Sequence, residues 1–190
     1  MNAPALAAIE FASISAGVRS GDAMIKRAAI ASFRGGTVQP GRYLVVIAGG
    51  VGEVQESYRE GLRVGGAAVA DHVVLPDAHA SVQSAVAGQR TAPKGETLAV
   101  LETGSLPAAI HAADAAVKAA AVTIREVRLG DGLGGKGLVH LDGELADVQA
   151  AVAAATGVVG PHGCTWQPQI IPAAHAGLLR ELSQTTRFAR

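Results

Sequence analysis

Short apolar runs alternate with amphipathic stretches along this chain, and the alternation occurs twice. Residues 6–10 and 98–102 are compact apolar runs, each predicting a buried strand. Ser13 and Ser105 follow as helix N-caps, because a serine oxygen accepts from an orphan N–H of the first turn. Pro107 falls in the first turn of the second such helix, where a missing N–H costs little. These helices are expected to run to about Ala29 and Ala121, with Asp22/Lys26 and Asp114/Lys118 as i,i+4 pairs of favourable order. Second strands are expected over residues 30–38 and 122–129, and third strands over 42–48 and 137–142. In the third strands Val45 and Ile47 match Val139 and Leu141 as core-facing positions, which turns His140 and Asp142 to the opposite face. An amphipathic helix carries Val51, Val54, Tyr58 and Leu62, matched by Leu145, Val148 and Val152. A fourth strand ends at Pro76 or Pro172, and a short helix follows.

The matches keep nearly constant spacing. Leu6, Ser13, Asp22, Ala23 and Lys26 recur as Leu98, Ser105, Asp114, Ala115 and Lys118 at an offset of 92. The offset becomes 94 from Gly41/Gly135 onward, and 96 where Pro76 and His79 pair with Pro172 and His175. Two small insertions in the second copy account for the drift. The chain is therefore a tandem duplication. The polar, breaker-rich stretch 88–96 is the linker, giving domains at 4–88 and 96–184. The fold class is α+β: two ferredoxin-like β-α-β-β-α-β units, each with a C-terminal helix.

Composition narrows the function classes. Hydrophobic residues make up 49% of the chain and charged residues 17%, and sixteen basic residues balance sixteen acidic ones. No net field attracts nucleic acid or an anionic membrane, and the weakly charged surface suits burial against protein. No apolar run approaches the roughly 20 residues of a membrane span, and no signal peptide is evident, so a cytoplasmic protein is expected. Cys164, the single cysteine, has no internal disulfide partner.

Candidate chemistry is sparse. Gly130, Gly132 and Gly135 satisfy a dinucleotide-binding glycine pattern, and residues 130–136 spell most of a phosphate loop, with Gly137 where a magnesium-binding hydroxyl belongs. Both motifs need a helix next, to bring its N-terminus to the phosphate. A strand is expected there instead, so a tight glycine-rich turn is the better reading. His162 and Cys164 are two potential ligands where a closed zinc site wants four. His79 and His175, being duplicated, are expected to bond backbone at strand-to-helix corners. The Asp–Lys pairs are expected to be solvated salt bridges. No catalytic residue, metal site or cofactor is expected.

The repeated Gly21-Asp22-Ala23-Met24-Ile25-Lys26 helix and its copy Ala113-Asp114-Ala115-Ala116-Val117-Lys118 resemble those of bacterial microcompartment shell domains. The segments Gly49–Val54 and Gly143–Val148 and the two Pro-x-x-His corners extend the resemblance over nearly the whole chain, in the unpermuted order. The resemblance implies a non-enzymatic shell protein: a homotrimer forming a pseudohexameric, single-layer disc that tiles beside other shell proteins around encapsulated enzymes. It places Lys26 and Lys118 at facet edges. It also places Val38, Gln39 and Pro40, with Leu133 and Gly134, around a central pore for small metabolites, where Asp131 adds negative charge at the rim. Shell trimers of propanediol compartments carry an iron–sulfur cluster on a pore cysteine, and Gln39 stands at that position here. The alternative function is a cytoplasmic sensor binding a metabolite between tandem ferredoxin-like domains.

Overall fold

The computed structural model of the protein describes residues 4–159 and 164–187. The first copy contains β1 (Ala5–Phe11), α1 (Ile14–Arg27), β2 (Ser32–Val38), β3 (Arg42–Gly49), α2 (Val51–Gly65), β4 (Val69–Leu75) and α3 (Ala80–Val86). The second repeats that order as β5 (Thr97–Thr103), α4 (Leu106–Ala119), β6 (Thr123–Leu129), β7 (Gly137–Gly143), α5 (Leu145–Val159), β8 (Trp166–Ile171) and α6 (Ala176–Gln184). Each copy forms a four-stranded antiparallel sheet, ordered β2-β3-β1-β4 and β6-β7-β5-β8. This is the split βαβ arrangement expected from the pattern.

The local signals behave as their chemistry dictates. The Ser13 hydroxyl accepts from the Ala16 amide, and Ser105 accepts from Ala108. His79 and His175 cap α3 and α6, their Nδ1 atoms accepting from the Ser81 and Gly177 amides. The corner histidines are thus helix caps, as their duplication suggested. The helices α1 and α4 end two residues earlier than expected, at Arg27 and Ala119, because the chain turns extended at Ala28 and Ala120.

Alternation in β1 sorts two cores. Ala5, Ala7, Ile9 and Phe11 face α1 and α2, packing with Met24, Val45, Ile47 and Val54. Leu6 and Ala8 face the other way, into a cluster that continues through Val73, Leu75, Val82 and Ala85 to α4, α5 and the second sheet. The second core therefore crosses the domain boundary. His140 and Asp142 do leave the face of Val139 and Leu141, yet both are buried. The linker amide of Lys94 donates to Asp142, while Arg125, beside Asp142, donates to Ser183 on α6.

Candidate functional site

The chemistry of this molecule concentrates where its two copies meet. Helix α4 is buried on both flanks, against its own sheet and against β4 of the first copy. Leu106, Ala109, Ile110 and Ala113 all lose their solvent exposure there.

Polar groups lock this joint. Glu10, wholly buried at the end of β1, accepts from the Leu106 amide at the start of α4 (2.9 Å) and from Arg42 (2.8 Å). A carboxylate at a helix N-terminus satisfies an orphan N–H and opposes the positive end of the helix dipole. Farther along α4, Asp114 accepts from the His79 amide (2.9 Å) and from Lys118 (2.6 Å), whose ammonium also reaches the Asp77 carbonyl. This corrects the expectation of two solvated salt bridges. The Asp22–Lys26 pair is solvent-exposed, but the Asp114 side chain is only 5% exposed, because its carboxylate ties the domains together. Lys118 itself keeps 40% of its side chain in solvent.

A second meeting point joins the turns before the third strands. Gln39 accepts through Oε1 from the Gly134 amide (3.3 Å), and Pro40 lies against Gly135, where a Cβ would stand 2.8 Å from the proline ring. Val38 likewise abuts Gly130. Four glycines of the second turn, Gly130, Gly132, Gly134 and Gly135, take positive φ, a conformation that side chains with a Cβ rarely adopt. Strand β7, not a helix, follows this loop directly, and Lys136 pairs with Glu102 (2.6 Å). The fold thus supports a tight turn rather than a phosphate cradle. Asp131 does not add free negative charge as expected, since its carboxylate pairs with Arg187.

An iron–sulfur cluster does not fit the turn. Gln39 offers a neutral amide already bonded to Gly134, where such a cluster requires thiolate. Cys164 lies at the start of α4 instead, its Sγ accepting from the Gly104 amide (3.1 Å). His162 falls outside the described residues. Among the described residues, no group of three or more His, Cys, Asp or Glu side chains is placed to hold a metal. No helix among them is long and apolar enough to cross a membrane.

An interdomain crevice of about 200 Å³ is lined by Tyr58, Asp71, His72, Pro107 and His111 with valines from β4 and α5. Burial, then the charge of Asp71, raises the Tyr58 pKa above its ordinary value, so its hydroxyl stays protonated beside His72 Nδ1 (2.6 Å).

Sequence reasoning found the turns and the Asp–Lys pairs but missed Glu10. A carboxylate closing an apolar strand is an available signal, and its recurrence as Glu102 strengthens it.

The BMC-domain model matches residues 5–78 and 97–174. The chain is 36% identical over 178 residues to the bacterial microcompartment shell protein PduT of Citrobacter freundii, covering 94% of this chain and 97% of that one. A microcompartment protein from Desulfitobacterium hafniense superposes with a TM-score of 0.82 at 34% identity, over 93% of this chain and 98% of that one. The fused permuted hexameric shell protein MSM0275 of the RMM microcompartment shares the fold, with a TM-score of 0.60 at 23% identity over 85% and 86% of the two chains. Matched twice in sequence and folded twice in this structure, the chain belongs to the BMC-domain family of microcompartment shell proteins.

Proposed function

We propose that this protein is a structural, non-enzymatic tile of a microcompartment shell in the bacterial cytoplasm, assembled as a homotrimer of units 4–88 and 96–184 around a central pore. One observation carries the reading. Of the six large apolar side chains left exposed among the described residues, Ile14, Val18, Ile25 and Leu178 are the copies of Leu106, Ile110, Val117 and Val82. Those four copies pack into the core that crosses the domain joint. Each chain therefore presents one joint completed internally and the two unmated halves of a second. Head-to-tail association of such halves closes into a ring, and three two-domain chains give six similar domains.

In that ring the paired turns face the common axis. Val38, Gln39 and Pro40 then alternate with Leu133 and Gly134 around the opening, and a neutral, amide-bearing rim passes small polar metabolites without charge selection. Lys26 and Lys118 lie on the outer rim, where tiles meet neighbouring shell proteins. Light scattering and negative-stain images of purified protein test the assembly. A mass of three chains and a ring with a central hole are expected. A monomer at high concentration, with no hole, would overturn it.

A further inference from the structure

Inside the chain, two of the polar contacts across the domain joint set a carboxylate against a backbone amide, Glu10 to Leu106 and Asp114 to His79. Each has an unused counterpart at the open ends. The copy of Glu10 is Glu102, and the copy of Leu106 is Ile14, the first residue of α1. Arg42, which holds Glu10, is replaced by Lys136, which holds Glu102 in the same way. The copies of Asp114 and His79 are Asp22 and His175.

The exposures differ as half-joints require. The Glu10 side chain is 0% exposed and Glu102 36%; the Asp114 side chain is 5% exposed and Asp22 60%. His175 already caps α6 with its ring, as His79 caps α3, so both corners hold the same conformation, with φ near −60° and ψ near 135°. The local geometry of the lock is thus built in both copies and filled in one. Ser105, which donates to Asp71 on β4, has Ser13 as its counterpart, and Asp71 has Gln167, so a hydroxyl and an amide stand at the counterpart positions of this further contact.

We infer that ring closure repeats this lock between chains. Glu102 of one protomer accepts from the Ile14 amide of the partner subunit, capping its α1. Asp22 of the partner subunit accepts from the His175 amide of the first. Lys136 holds Glu102 in position, as Arg42 holds Glu10. The inference rests on the trimer reading and adds which groups close it. Carboxylates buried against amides fix orientation as well as contact, so they set the direction of assembly around the ring. The apolar stripe of Ile14, Val18 and Ile25 supplies area, while the two carboxylates supply register.

Thiol cross-linking tests this in full-length protein carrying Cys164→Ser. Mixed chains bearing either Ile14→Cys or Glu102→Cys, treated with a short bis-maleimide, should give inter-chain adducts on a denaturing gel. Either variant alone should give none. Separately, Glu102→Gln with Asp22→Asn should raise the concentration at which the trimer dissociates at least tenfold, while Glu60→Gln, which loses only its pair with Arg63 within α2, should not. A stable mass of three chains without those adducts, or with unchanged dissociation in the double variant, would overturn the lock and leave the trimer standing. A mass of one chain in the unsubstituted protein would overturn both.

Discussion

Glu10 sits with no solvent contact between a guanidinium from its own sheet and the first amide of a helix in the other domain. Replacing it with Gln turns an NH2 toward one of two donors, leaving Arg42 or the Leu106 amide unsatisfied. Breaking a buried, charge-assisted contact of this kind costs about 2–3 kcal/mol. Glu10→Gln should therefore lower the urea midpoint by that equivalent, whereas Glu60→Gln, which loses only its pair with the exposed Arg63 within α2, should lower it far less. His140 behaves differently. Burial, reinforced by Arg125, Arg90 and Arg128 against the opposing charge of Glu126, lowers its pKa from 6.5 to about 4. The unfolded chain then binds a proton below pH 6.5 that the folded chain refuses until about pH 4. Its stability contribution is complete above pH 6.5 and is lost as pH falls toward 4. Between pH 7.5 and 5 the loss from this group should be about 2 kcal/mol, read from urea curves at the two pH values, and His140→Gln should remove it.

Two helical glycines separate packing from propensity at the level of elements. In α1, a Cβ on Gly17 would lie 2.7 Å from the Cβ of Tyr43 on β3, an atom too close to the backbone to move aside. Overpacking there costs about 1–3 kcal/mol and outweighs the gain in helix propensity of about 1 kcal/mol. In α2, a Cβ on Gly52 meets nothing within 4 Å. Thermal melts should thus show Gly17→Ala lowering Tm and Gly52→Ala raising it slightly, by the equivalent of about 0.5 kcal/mol. The elements themselves were readable because local signals agreed. Alternation at Val45 and Ile47, serine caps at 13 and 105, and the duplicated corner histidines all pointed to one arrangement. What could not be read was the second flank of α4. A helix whose Leu106, Ala109, Ile110 and Ala113 are all buried looks, in sequence, like a small apolar helix on a single sheet. Only the position of β4 shows that two sheets enclose it, and the burial of Asp114 follows from that enclosure.

A tile must be stable as a ring yet weakly joined at its edges, so that lattices can form and rearrange. The joint meets the first requirement with a core shared between domains and two buried carboxylates. Lys26 and Lys118 suit the second, since both side chains stay partly in solvent even while paired with Asp22 and Asp114. In the proposed ring these two lysines give six rim positions. An exposed charged contact is worth less than about 1 kcal/mol, so a single loss would pass unnoticed. Six weak contacts acting together on one disc multiply through effective concentration, and their joint removal falls on the lattice. Lys118 makes only an exposed bond to the Asp77 carbonyl across the joint, beside the buried Asp114 contact, so its loss should spare the ring. Lys26→Ala combined with Lys118→Ala should thus keep a mass of three chains by light scattering while abolishing extended sheets in electron micrographs. Sheets that persist in the double variant would move the tile edge away from these lysines. Trimers that fall apart would instead show that the ammonium groups hold the joint itself.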